Sequence, residues 1–174
     1  MLAGVASWLV SSGWHVVLPS RRYCPIPIDE IEPVIEEPGR AIWVEARWER
    51  SQRLAHDAAK ALDGEADLLV SWVHDTYRVP VLNAISGLLR PDAPIVEVHG
   101  SAVNDQVANL PEPALAGHPT QRVLLGYVRE GALTRWLTHA EIVEGVLTAV
   151  RRALDDRPLT QHQVGELRPW PPPL

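Results

Sequence analysis

Two adjacent arginines, Arg21 and Arg22, directly follow Ser20 at the end of a short apolar run, Val16–Leu18. Guanidinium groups bind phosphate through paired, charge-assisted hydrogen bonds, so this pair could hold an anionic ligand. The chain as a whole carries a formal net charge of -6, which argues against a general nucleic-acid binder and limits the prediction to a local basic site. A solvated strand end that binds nothing is the alternative.

The residues before the arginines predict a helix and then a strand. Apolar residues with helical spacing form one buried face, and Gly13 ends the helix. These residues are Leu2, Val5, Ala6, Leu9 and Val10. Helix, glycine, strand and basic tip form the second half of a dinucleotide-binding βαβ unit, whose first strand and early glycines are absent from the sequence.

Strands and helices alternate along the rest of the chain. We predict strands over 41–46, 66–73, 94–99 and 121–128 and an edge strand over 163–166. We predict helices over 49–62 and after Thr138, and a third helix that Asp75 or Thr76 caps and that holds Pro80 in its first turn. Thr138 and Glu141 have the spacing of a capping box. The pattern predicts an α/β fold, Rossmann-like, with a parallel sheet, helices on both faces and the first strand missing. We expect one domain over 1–174, a mobile loop over 104–120 and a proline-rich tail over 167–174.

Parallel sheets bind ligands beyond the carboxyl ends of their strands. In this chain the predicted ends carry Ser20, Arg21 and Arg22, then Ser71 and His74, then Gly100 and Ser101. The histidines and the one cysteine lack metal-ligand spacing, so no metal site is expected. Six of the seven tryptophans fall in or beside predicted elements, which predicts packing roles for them: Trp8, Trp14, Trp43, Trp48, Trp72 and Trp136.

The single cysteine, Cys24, cannot form an internal disulfide, which favours a reducing cytoplasm. The apolar segment 1–19 raises a signal peptide or membrane anchor as a rival interpretation. It has no basic residue before its apolar run, and Gly13 and His15 interrupt it short of the ~20 residues that a spanning helix needs. We therefore expect no membrane association.

With these elements in place, the chain resembles the short-chain dehydrogenase/reductase-like NAD(P)-binding Rossmann proteins, in a short and atypical form. The resemblance rests on Met1–Gly4, Ser20–Arg22, the apolar strand Asp67–Val73, the turn Gly100–Ser101 and the late segment Arg135–Ile142. It implies that Gly4 matches the last glycine of the family's phosphate-binding turn. It also implies that Arg21 and Arg22 hold the 2′-phosphate of NADP(H), because no acidic residue stands at positions 19–22 to bind the ribose of NAD. Ser71, His74, Gly100 and Ser101 would then line the nicotinamide side.

In that family the first strand is central. Losing about four buried aliphatic side chains at ~1.5–3 kcal/mol each would cost roughly 6–12 kcal/mol, comparable with a domain's whole stability of about 5–15 kcal/mol. The resemblance therefore implies a polypeptide that starts upstream of Met1, or else a shortened product with an impaired cofactor site.

Conventional catalysis in this family uses a tyrosine with a lysine four residues later, and the sequence lacks this pair. Tyr23, Tyr77 and Tyr127 are followed at that spacing by proline, valine and glycine, and the only lysine is Lys60. Two functions stay open: an NADP(H)-dependent oxidoreductase with an unconventional site acting on an unknown small molecule, or a non-catalytic nucleotide-binding or regulatory module. A shortened, nonfunctional product is the third alternative. Trp170 could hold the tail against the protein or contact another subunit, and the second role would suit a homo-oligomer.

Overall fold

The structure is a computed structural model that describes residues 2–23, 25–26, 39–100, 111–131 and 133–167. Contacts between residues divide the chain into two units. The first unit comprises Met1–Asp67 and His74–Pro91, and the second comprises Leu68–Val73 and Asp92–Leu174. The single domain predicted over 1–174 stays a prediction. Cys24, Ser101, Trp170, residues 104–110 of the predicted mobile loop and nearly all of the predicted tail lie outside the described residues.

The first unit contains helix α1 (Ala3–Ser11), strands β1 (Val16–Ser20) and β2 (Ala41–Glu45), and helices α2 (Ser51–Ala61) and α3 (Asp75–Ile85). The two strands pair in parallel, from Val16 opposite Ala41 to Ser20 opposite Glu45. Gly13 has a φ of 88°, so a glycine does end the first helix as predicted. Gly39 lies so close to Trp14 that a Cβ would stand 1.8 Å from the Trp14 carbonyl oxygen, which reserves that position for glycine.

The start of α3 differs from the prediction. His74 is the N-cap residue, and its Nδ1 accepts a 3.4 Å hydrogen bond from the backbone N–H of Thr76. Asp75 and Thr76, the predicted caps, instead form the first turn. Pro80, which was expected in that turn, lies inside the helix. A histidine ring nitrogen can accept a hydrogen bond from a backbone N–H, as a carboxylate or hydroxyl oxygen does. Histidine is not one of the residues that usually occupy the N-cap, so the sequence did not predict this cap.

The second unit is built on a four-stranded sheet. Strands β3 (Leu69–Ser71), β4 (Ile95–His99), β5 (Thr120–Leu125) and β8 (Gln161–Val164) lie side by side in the order β3-β4-β5-β8, and every neighbouring pair is parallel. Helix α4 (His139–Leu154) packs against β4, β5 and β8. These elements confirm the predicted fold class, an α/β protein with a Rossmann-like parallel sheet flanked by helices.

Two predicted strands are shorter in the structure. The apolar run 66–73 contributes only β3, because Ala66 instead forms an isolated parallel bridge with Leu89. The run 121–128 is interrupted at Gly126, where a Cβ would stand 2.1 Å from the carbonyl oxygen of Glu166. The chain then continues as an antiparallel hairpin of β6 (Tyr127–Glu130) and β7 (Leu133–Trp136), which the sequence analysis missed. The predicted edge strand 163–166 begins earlier, at Gln161.

Arg135 on β7 connects the hairpin to the start of α4. Its guanidinium group donates to Glu130 at 2.9 Å and to both carboxylate oxygens of Glu141 at 2.9 and 3.1 Å. These hydrogen bonds from Arg135, followed by those from Thr138, lower the pKa of Glu141 to about 2. Thr138 and Glu141 form the predicted capping box.

The packing roles predicted for six tryptophans are wrong for two of them. Trp43 on β2 is 36% exposed and Trp136 on β7 is 60% exposed. Each lies on a strand that has one described strand neighbour. The other four, Trp8, Trp14, Trp48 and Trp72, are partly buried. None of the described helices combines the length and the apolar character needed to cross a membrane.

Candidate functional site

The carboxyl end of β1 is held in place by three hydrogen bonds to Ser20. Its backbone oxygen accepts the N–H of Ala46 at 2.9 Å, and its hydroxyl donates to the Arg22 carbonyl oxygen at 2.6 Å. The same hydroxyl accepts the indole N–H of Trp43 at 2.9 Å. The turn that carries both arginines is therefore fixed to β2 by side-chain and backbone contacts.

Arg21 and Arg22 point their charge into solvent from this fixed turn. Both are exposed, and within the described ranges neither guanidinium group forms an ion pair. Glu45 lies opposite Ser20 on β2, and its Oε1 forms an ion pair with the Nε of Arg47 at 3.1 Å. Because that carboxylate already has a cation, the turn keeps a net positive charge.

An exposed pair of aromatic rings stands beside the arginines. Tyr23 is 69% exposed, and its ring meets that of Trp43 edge to face, with centroids 5.7 Å apart. This geometry is favourable for aromatic pairs and fixes Trp43 together with its bond to Ser20. The site thus combines two exposed cations, without an ion pair in the described part of the chain, with a rigid aromatic surface.

Gly4 lies at the same end of the first unit as the arginines. It is the second residue of α1, a helix that has no side-chain cap at its N-terminus. Only residues 12–15 join α1 to β1, so the two elements run in opposite directions. The N-terminus of the helix and the carboxyl end of the strand therefore share one end of the unit. His74, the remaining predicted site residue in this unit, is exposed and caps α3.

The other predicted residues belong to the second unit. Ser71 is the last residue of β3 and is buried, whereas Gly100 directly follows β4 and is half-buried. Ser71 lies opposite Glu97, so both predicted residues stand at the carboxyl edge of neighbouring strands. Ser101 lies outside the described residues.

Sequence reasoning missed a buried polar pair just before this edge. Glu97 and His99 are 1% and 4% exposed, and the Glu97 Oε2 lies 3.6 Å from the His99 Nε2. The other carboxyl oxygen of Glu97 accepts the backbone N–H of Ala114 at 2.9 Å. The available signal was the appearance of two ionisable residues at alternate positions of an otherwise apolar strand, IVEVH.

A shallow groove of about 530 Å³ lies elsewhere in the first unit, between β2 and the carboxyl-terminal half of α2. Arg40, Trp43, Asp57, Lys60 and Asp63 are among its lining residues. None of the predicted site residues lines this groove.

The comparisons with known proteins concern the fold. No family model matches the sequence, and no curated protein matches it either. One solved structure that is similar is that of a provisionally assigned short-chain alcohol dehydrogenase from Burkholderia multivorans. The TM-score is 0.52 at 17% sequence identity, and the alignment covers 97% of this chain and 94% of that one. The chain therefore shares its fold with a protein assigned to the short-chain dehydrogenases.

Proposed function

We propose that the chain binds NADP(H) through a short-chain dehydrogenase-like Rossmann fold. The observation that carries the proposal is the pair of exposed arginines on the fixed turn after β1, which form no ion pair with the residues that the structure describes. Carboxyl ends of parallel strands are where such folds bind dinucleotides, and an arginine there accommodates the 2′-phosphate that distinguishes NADP from NAD. The exposed guanidinium groups fit a phosphate in both charge and hydrogen-bond donors.

The charge around the turn supports NADP(H) over NAD(H). A carboxylate would be needed to bind the two ribose hydroxyls of NAD, and none occurs at positions 19–22. Glu45, on the neighbouring strand, is already paired with Arg47. The described part of the turn is therefore positively charged, which favours a 2′-phosphate.

Ser71, His74, Gly100 and Ser101 are our candidates for the nicotinamide side. Ser71 and Gly100 stand at the carboxyl edge of the parallel sheet, where the fold places ligands. When bound, the nicotinamide ring supplies or accepts a hydride. We therefore propose that the protein is an oxidoreductase that acts on a small molecule.

The test compares the affinities of NADPH and NADH for the protein and for Arg21→Ala and Arg22→Ala. A charge-assisted hydrogen bond contributes ~1.5–3 kcal/mol, so each substitution should weaken NADPH about 10- to 100-fold. NADH affinity should change less than about threefold. Arg53→Ala, which removes an exposed arginine that pairs with Asp57 on α2, is the matched control and should change neither affinity. Equal losses for both nucleotides would refute the assignment of the 2′-phosphate, and a protein that binds neither nucleotide would refute the function.

A non-catalytic nucleotide-binding or regulatory module is the second candidate. It is favoured by the absence of any tyrosine with a lysine four residues later. Incubation with NADPH and a panel of aldehydes and ketones, followed at 340 nm, separates the two candidates. Binding without turnover would support the module, and turnover would support the enzyme. Cytoplasmic location and a homo-oligomer stay predictions.

A further inference from the structure

Two exposed aromatic side chains, Tyr23 and Trp43, stand at the arginine turn (residues 20–23). Tryptophan has a large apolar surface, and a protein normally places it where most of that surface is buried. Trp43 instead is 36% exposed and donates its indole N–H to the hydroxyl of Ser20. The use of a tryptophan as a hydrogen-bond donor on an exposed strand requires an explanation.

The parallel register explains how Trp43 reaches Ser20. Ser20 lies opposite Glu45, and Leu18 lies opposite Trp43. Because residues two apart on a strand share one face, Trp43 and Ser20 are diagonal neighbours on the same face. The long indole side chain spans this diagonal and donates at 2.9 Å. Glu45, the direct neighbour of Ser20, pairs with Arg47 instead.

The hydroxyl of Ser20 connects this contact to the arginines. It donates its own hydrogen to the Arg22 carbonyl oxygen at 2.6 Å, and the ring that this bond closes contains the backbone of Arg21. Consecutive hydrogen bonds polarise one another, so a hydroxyl that accepts the indole N–H donates a stronger bond to Arg22. Two hydrogen bonds in series therefore join Trp43 to the backbone that carries both guanidinium groups.

We propose that Trp43 is a positioning residue that determines how strongly the protein prefers NADPH over NADH. Acting through Ser20, it holds the backbone of Arg21 and Arg22 in the orientation that receives the 2′-phosphate. The inference rests on the proposed function for the identity of the ligand. Guanidinium groups bind phosphate with a fixed geometry, so a turn that moves freely would lose more conformational entropy on binding.

The first experiment measures the affinities of NADPH and NADH in a double-mutant cycle. Trp43→Phe keeps a ring against Tyr23 and removes the indole N–H, whereas Ser20→Ala removes the hydroxyl. Trp43→Phe should weaken NADPH binding about fivefold and Ser20→Ala about tenfold, with NADH binding within about twofold in both variants. Because the indole acts through that hydroxyl, the double variant should lose about tenfold, and not the roughly fiftyfold of independent contributions.

Two further variants serve as controls for this cycle. Trp14→Phe makes the same chemical change at a partly buried tryptophan of the same unit, before the amino end of β1 and away from Ser20. It should change neither affinity by more than about twofold. Ser20→Thr keeps a hydroxyl in a residue type that suits a strand, and it should keep the NADPH affinity of the unmodified protein within about twofold.

The second experiment needs no nucleotide. Magnetic relaxation of the backbone amides gives the order parameters of Arg21 and Arg22, with Val44 inside β2 as the internal reference. A fixed turn should give values near ~0.85, and Trp43→Phe and Ser20→Ala should lower them toward ~0.6. The value of Val44 should stay the same in every variant, since the pairing of β1 with β2 does not depend on the indole N–H.

Three results would overturn the positioning role of Trp43. They are unchanged order parameters at both arginines in Trp43→Phe, additive losses in the double variant, and an equal loss of NADPH and NADH affinity in Trp43→Phe. If Trp43→Phe does not fold, hydrogen exchange of the Trp43 indole N–H in Ser20→Ala decides: it should become about tenfold faster, and an unchanged rate would refute the link. If the unmodified protein binds no NADPH, the proposed function fails, and the order parameters still decide whether Trp43 positions the arginines.

Discussion

Replacing Gly145 by alanine tests the packing of α4 on the sheet. A Cβ at this position would lie 2.3 Å from Cγ2 of Val164, 3.1 Å from Cγ1 and 3.3 Å from Cβ. Because both methyl groups and the carbon that carries them are within reach, rotation of the valine side chain cannot clear the space. The substitution therefore forces α4 or β8 to move.

Two opposing effects determine the free energy of unfolding. Alanine is favoured over glycine inside a helix by ~1 kcal/mol. Overpacking a fitted contact costs ~1–3 kcal/mol, so Gly145→Ala should destabilise the protein by up to ~2 kcal/mol. In a Val164→Ala background both methyl groups are gone and only the Cβ at 3.3 Å stays, so the same substitution should stabilise by up to ~1 kcal/mol. The coupling between the two sites is then ~1–3 kcal/mol.

The measurement is urea unfolding of the four proteins of this cycle, followed by far-ultraviolet circular dichroism. A change in midpoint at constant slope reports stability alone. Gly145→Ala should lower the midpoint in the protein with Val164 and raise it in the protein with alanine there. A higher midpoint in both backgrounds, or an equal decrease in both, would refute the contact between α4 and β8.

Two further predictions concern the ends of elements in the second unit. Thr138→Ala should lower the free energy of unfolding in urea by ~1 kcal/mol, because the Thr138 hydroxyl accepts the Glu141 N–H at 3.3 Å. Thr138→Ser keeps a hydroxyl and should keep nearly full stability. Equal losses in both variants would exclude the cap as the cause. The pKa of His162 is lowered from 6.5, first by burial and then by repulsion from Arg152. His162 therefore becomes protonated near pH 6.5 in the unfolded chain, and only at a lower pH in the folded protein. The free energy of unfolding should consequently decrease as the pH falls from 7.5 to 5.5. His162→Gln, which can still donate to the Gln121 oxygen, should show a smaller loss over the same range; an identical pH dependence would contradict the assignment.

Only the parts of the candidate site that depend on the residue types at a few neighbouring positions could be predicted from the sequence. Two arginines after a predicted strand identify a cationic strand end, since parallel sheets bring such ends to one edge. The hydrogen bonds that fix this turn, from Trp43 and Ala46 to Ser20, join residues more than twenty positions apart. No local sequence pattern predicts such pairs. Only the structure therefore shows that the turn is fixed and that both arginines are exposed on it.

The sequence by itself determined the elements whose causes are local. Helix α4 has its capping box and its apolar stripe within a few residues of one another, and α1 ends at a glycine that its own backbone requires. Tertiary structure alone decided the antiparallel pairing of β6 with β7, the exposure of Trp43 and Trp136, and the hydrogen bond that the Ala114 N–H donates to Glu97. Capping and periodicity depend on neighbours within one or two turns, whereas register and buried hydrogen bonds depend on which distant segment the whole fold brings alongside.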